Sequence, residues 1–150
     1  MSLHGSATGN PDVARIEALI EARFPQIHSG GRVFSIEAIG ERRACVRMRA
    51  HERMLRPGGT VSGAAMFSLA DFSVYVAVIA TLGEAGIDAV TTNLNINFLS
   101  RPEARDMTAS VDLIRLGRRL AVGEARLFSD GQTDMVAHAI ATYALPIRTG

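Results

Sequence analysis

The chain has 150 residues and a mass of 16.0 kDa, about one domain's length and enough for a single continuous core. A hydrophobic fraction of 47%, a charged fraction of 21% and a formal net charge of +1 argue against a general nucleic-acid or membrane-surface role and favour a small-molecule partner.

Residues 1–10, MSLHGSATGN, are polar and Gly/Ser-rich and lack the basic and apolar regions of a signal peptide. They read as a disordered tail, which leaves residues 11–150 as one domain. Asn10-Pro11-Asp12 reads as an N-cap with proline at the first helical position. Val13, Ile16, Leu19, Ile20 and Phe24 recur at helical spacing, so a short amphipathic helix is expected to end near Phe24, before Pro25. RVFSIEAIG and RRACVRMRA alternate around Gly40-Glu41 and read as a β-hairpin. The single cysteine, Cys45, lies in that alternation and has no partner for an internal disulfide. It reads as a buried structural thiol and fits a reducing cytoplasm.

The polar, Gly-rich stretch HERMLRPGGT precedes a long apolar run, in which Ser68, Asp71 and Ser73 alone interrupt the hydrophobic side chains from Gly63 to Ala80. Such a run approaches a membrane span in length, but a central carboxylate opposes insertion by about 2.5–3.5 kcal/mol. The expected element is a helix wrapped by protein. A period-two pattern follows in AVTTNLNINFLS, DMTASVDLIRLG, RRLAVGEARLFSD and TDMVAHAIATYAL, punctuated by Arg101-Pro102, Gly117-Arg118 and the tight-turn dipeptide Asp130-Gly131. Four strands after one long apolar helix predict an α+β fold, an antiparallel sheet curled around that helix. A helix apolar nearly all round needs more cover than one sheet provides, so a second subunit is expected.

This order of elements resembles the hotdog fold. Val61-Ser62-Gly63-Ala64 followed by Leu69-Ala70-Asp71 is similar to the signature of acyl-CoA thioesterases of the phenylacetic acid degradation type. The likeness extends through NLNINFLSRP and LGRRLAVGEARL and covers roughly residues 30–146. The resemblance implies that Asp71 is the general base or nucleophile acting on a thioester carbonyl and that the Gly63 N–H holds the oxyanion. Thr91 matches a strand hydroxyl that orients the attacking water in some members. It further implies that Arg56, Ser62, Ala64 and Asn93 lie against an acyl-CoA or other acyl thioester. Arg56 stands where many members have asparagine, and Ser62 where they have histidine. A guanidinium at position 56 has two readings, a partner for Asp71 of a facing subunit or for a negatively charged acyl group.

Ser62 and Asp71 are nine residues apart, which puts them on opposite faces of a helix and about 13 Å apart along its axis. One carbonyl cannot be served by both ends of one helix. If both ends act, Asp71 meets the Gly63 amide of a second copy, and the site is shared across a two-fold homodimer. A dimer of dimers, hence a homotetramer, is equally compatible. Arg118 and Arg119 follow a turn glycine and have two readings, a solvated turn or a contact with coenzyme A phosphates. His138 reads as a packed or rim histidine on the face of Val136 and Ile140. His4, His28 and His51 have no partner at metal-ligand spacing, so neither a metal nor a cofactor is expected, coenzyme A being part of the substrate. Gly58-Gly59 lacks the lysine and spacing of a phosphate-binding loop.

The function expected is therefore acyl-CoA thioester hydrolysis by carboxylate-assisted attack of water. The alternative is a non-catalytic acyl-thioester binding protein of the same shape. A hotdog dehydratase is disfavoured because Met54 and Ser68 stand where its histidine and acid would be.

Overall fold

The computed structural model describes residues 10–147; the tail expected over residues 1–10 lies, Asn10 apart, outside the described residues. Helix α1 (Pro11–Arg23) begins where Asn10 Oδ1 accepts hydrogen bonds from the N–H groups of Asp12 and Val13, at 2.8 and 3.4 Å. It buries Val13, Ile16 and Ile20. Strands β1 (Phe34–Gly40) and β2 (Arg43–Met48) form the expected hairpin. Its tip places Arg42 at φ 57°.

The stretch read as a polar loop carries more structure than its composition suggests. A 3-10 turn (Glu52–Met54) leads into the two-residue strands β3 (Leu55–Arg56) and β4 (Thr60–Val61), which pair antiparallel. Pro57 and Gly58, with Gly58 at φ 100°, close a turn in which the Gly59 N–H donates to the Arg56 carbonyl at 3.0 Å. Proline at the second position and glycine at the third are what a type II turn requires.

The central helix α2 runs Gly63–Leu82. It is followed by β5 (Val90–Phe98), β6 (Met107–Leu116), β7 (Leu120–Ser129) and β8 (Ala137–Ala144). One six-stranded sheet, in the order β1-β2-β6-β7-β8-β5 and antiparallel throughout, curls around α2. The fold is the hotdog fold. Strand β7 passes so near the helix that a Cβ on Gly123 would lie 2.7 Å from Val74 Cγ1. Glycine is required there by proximity.

The outer face of the sheet is polar and ion-paired. Arg43 and Arg126 hold Asp112 at 2.9 and 3.1 Å, and His138 Nε2 lies 2.9 Å from Glu124. Burial pushes the Asp112 carboxyl pKa up, but the two arginines outweigh it and hold the carboxyl below its ordinary value. His138 shares this face with Ile140, whereas Val136 precedes β8 and is buried in the core. Cys45 also departs from expectation. Alternation along β2 turns it outward, half-buried among polar neighbours, while Ala44 and Val46 fill the core. Burial, and then the charge of Glu37, raise its thiol pKa to about 11, so it stays protonated. The Asp130-Gly131 turn exists, with the Gln132 N–H donating to Ser129 O at 2.9 Å. It does not close a tight hairpin, because β8 begins only at Ala137.

Candidate active site

Asp71 lies midway along α2, half-exposed at the lip of a cleft of about 660 Å³. Two hydroxyls fix its carboxylate. Thr91 and Tyr143 each donate to Oδ1 at 2.6 Å, and the Tyr143 hydroxyl also lies 2.8 Å from the Asp71 carbonyl oxygen. With Oδ1 taken twice, no hydrogen-bond donor from the described residues reaches Oδ2, so it can accept from a water. Burial and the neighbouring Asp71 charge push the Tyr143 pKa far up. Its hydroxyl therefore remains a donor. The cleft's apolar walls are Phe24, Ile27, Phe72, Tyr75 and Ile87.

Thr91 reaches Asp71 through a backbone irregularity. Thr91 pairs with Tyr143 but Asn93 pairs with Thr142, so Thr92 is an extra residue in β5. The bulge lets Thr91 share the inward face with Leu94 and Ile96, which simple alternation would forbid. Asn93 consequently opposes Thr142, whose neighbours Ala141 and Tyr143 are the core-facing residues. It faces away from α2 and lines neither the Asp71 cleft nor the one at the helix start.

The other end of the expected site lies at the start of α2. Ser62 is the N-cap, and its Oγ accepts from the Ala65 N–H at 3.1 Å while its carbonyl takes the Met66 N–H. The Gly63 and Ala64 N–H groups, which precede these, are the unsatisfied donors of the first turn. Gly63 lines a second cleft of about 430 Å³, whose walls include Arg56, Phe98 and Arg101, and Ala64 lines neither cleft. A Cβ on Gly63 would sit 3.1 Å from Cζ of the exposed Phe98 ring, which would have to give by a few tenths of an ångström to admit one.

Asp71 and Thr91 are thus together, whereas Arg56 and Gly63 belong to a different cleft of the same chain. Arg118 and Arg119 are exposed at the β6–β7 turn and line neither cleft. The sheet register, Leu120 to Ala144 to Val90, puts that turn at the Asp71 end of the sheet. Among the described residues no cluster of His, Cys, Asp and Glu could hold a metal ion.

The thioesterase superfamily profile matches residues 58–136. The chain belongs to the thioesterase superfamily. A Saccharolobus solfataricus protein carried under a provisional esterase name is 31% identical over 100 residues. That match covers 67% of this chain and 65% of the relative, so it spans less than two thirds of that protein. A Silicibacter sp. crystal structure, described as that of a provisional thioesterase, is 43% identical with a TM-score of 0.76. It covers 97% of this chain and 95% of its own. The phenylacetic acid degradation protein of Thermus thermophilus is 20% identical, with a TM-score of 0.66 over 86% of this chain and 99% of its own. At that identity the likeness is one of fold. Superfamily membership supports a thioester hydrolase function.

Tyr143 is the residue of this candidate site that pattern reading did not single out. A signal existed, since Tyr143 shares the core face of TDMVAHAIATYAL with Ala137, Ala139 and Ala141. A buried tyrosine hydroxyl must find a partner. The motif supplies none locally, and Asp71 is 72 residues away in the chain.

Proposed function

We propose that the protein hydrolyses acyl-CoA thioesters at sites built from two copies of the chain. The observation that carries this is the separation of the two halves of the chemistry. Asp71 opens on one cleft and Gly63, at the start of the helix, on another. An exposed stripe joins them along α2, made of Ala64, Phe67, Ser68 and half-exposed Asp71. Gly63 and Asp71 each lie four residues from Phe67. A two-fold axis passing near Phe67 would therefore set Asp71 of one copy against Gly63 of the other, twice. Strand β5 supports the same axis. It is an edge strand, unpaired on one side and exposed along most of its length, with Thr91 near Asp71 and Phe98 against Gly63. Unpaired edges are templates for a second strand, and two such edges meeting antiparallel would match ends in the same sense.

In the resulting reaction, Asp71 Oδ2 accepts a proton from water as the water oxygen attacks the thioester carbonyl carbon. The carbonyl oxygen gains the charge and takes hydrogen bonds from the facing Gly63 and Ala64 N–H groups, at the positive end of the helix dipole. Collapse breaks the C–S bond, and the thiolate leaves with the proton that Asp71 took up. Acid and coenzyme A are the products. Asp71 is the base here because two donors hold its Oδ1, which leaves Oδ2 free to accept from water.

The test is turnover of a panel of acyl-CoAs by Asp71→Asn. The amide keeps the volume and loses the basicity, so kcat falls at least about a hundredfold. Unchanged turnover would make Asp71 structural, and binding without turnover in the wild type would favour the non-catalytic acyl-thioester binder.

A further inference from the structure

Strand β5 is bracketed by opposite charges. No residue from Ala89 to Ser100 is charged, while Asp88 precedes that run and Arg101 follows it. The strand is a sheet edge, and Val90, Phe98 and Leu99 near its ends are exposed. A free edge in a monomer is ordinarily guarded by charges along its length. Here the charges stand only at the two ends and differ in sign, the pattern of an apolar contact with a charged rim. Asp88 and Arg101 are both exposed, and neither has an ion-pair partner among the described residues. Arg23 shares a cleft with Asp88 but is paired with Glu84 at 3.3 Å. Arg118 and Arg119 stand at the same end of the sheet, line neither cleft and lie beyond ion-pair distance of Asp88.

Contacts with α2 fix how two such edges would meet. The Phe98 ring lies against Gly63, and Thr91 donates to Asp71 Oδ1. On the two-fold reading just given, on which this inference rests, Gly63 faces Asp71 of the other copy, so Phe98 faces the other copy's Thr91. Arg101 is three residues beyond Phe98, and Asp88 is three residues before Thr91. The same register therefore brings Arg101 level with Asp88 of the other copy. The clefts agree, since Asp88 lines the one that holds Asp71 and Arg101 lines the one that holds Gly63. Arg56 shares the Gly63 cleft but lies on β3, off the line of the edge strand. We infer that Arg101 of each copy pairs with Asp88 of the other, a clasp formed twice per dimer that selects antiparallel pairing of β5 and holds Asp71 opposite Gly63. Parallel pairing would set arginine against arginine and aspartate against aspartate. Arg101 and Asp88 are positioning residues, because they act on the reacting groups only through the register.

The test is a charge exchange, read by native mass spectrometry on copies distinguished by a tag. Arg101→Glu and Asp88→Arg are prepared separately, mixed in equal amounts, dissociated and re-associated. Either homodimer sets like charges together at both clasps, whereas the heterodimer has an opposite-charge pair at both. Random pairing gives about half heterodimer. With each homodimer weakened at least about tenfold by like-charge contact, the heterodimer rises to about nine-tenths or more. Arg15→Glu, the same reversal at an exposed arginine of α1, should pair with the wild type at random. Acyl-CoA kcat, lowered severalfold in each clasp variant alone, should return to near the wild-type value in the mixture. A second measurement uses Arg101→Cys/Asp88→Cys, which should form a covalent dimer on mild oxidation while neither single cysteine variant does. Half heterodimer in the charge exchange, unchanged kcat in both clasp variants, or no covalent dimer from a double variant that sediments as a dimer would each overturn the inference and leave the composite site standing. A wild type that sediments as a monomer would remove both.

Discussion

The two halves of α2 are both predominantly apolar but are covered differently. From Phe72 to Ile79 every residue is buried within its own chain, most at 0% exposure. Between Ala64 and Asp71 one stripe stays open, and Phe67 keeps 41% exposure. Cover comes from the sheet, which at Gly123 approaches Val74 to within a missing Cβ. Even the polar residue of the covered half is satisfied internally, with Ser73 Oγ donating to the Leu69 carbonyl at 2.6 Å. The buried half positions the helix, and the open half carries the carboxylate and the free amides. A polar side chain at a helix centre is thus a functional sign when its neighbours at i−3, i−4 and i−7 are also open, and a structural one when they are not.

Substitution can break the comparison at either end. Ile79→Ala removes a fully buried side chain from the covered half and should lower unfolding free energy by about 2–5 kcal/mol in denaturant titrations. Phe67→Asp, on the open stripe, should instead leave the helical circular dichroism intact while shifting sedimentation toward monomer at micromolar concentration. A monomeric wild type would remove the need for that stripe to be covered.

A finer test separates positioning from basicity. Tyr143→Phe deletes one of the two donors on Asp71 Oδ1 and keeps the ring that stacks on Tyr75 at 6.0 Å. Turnover should fall about tenfold, mainly in kcat, because the carboxylate loses orientation but remains a base. A change in KM alone would make Tyr143 a binding-cleft wall and no more.

The fold was legible where one local rule governed each element. Asn10-Pro11 capped α1, alternation gave the strands, and the apolar run gave α2, ending at Leu82, just before Gly83. What escaped depended on contacts distant in sequence. The bulge at Thr92 is set by pairing with β8, so period-two reading could not show that Thr91 faces Asp71. Cys45 alternates as well outward as inward until the parity of β2 is fixed by Ala44 and Val46. Asp130-Gly131 gave a turn, but Val136 donates to Leu127 at 2.7 Å and β8 starts only after that contact. Asp71 stood out as a candidate because a carboxylate in an apolar run is costly without a use, whereas Gly63 became a candidate only through the resemblance of its motif to the thioesterase signature.

The central claim is that Asp71 and Gly63 act on one thioester from different chains. It is tested by mixing two inactive variants, Asp71→Asn and Gly63→Val, the latter placing a side chain against Phe98 and over the free amides. Each variant alone lacks one half of both sites in a dimer. After dissociation and re-association at equal amounts, heterodimers contain one site with both halves intact and one with neither. Random pairing then restores about a quarter of wild-type acyl-CoA turnover. Heterodimers that form and stay inactive would contradict the account, since the two residues would then have to act within one chain.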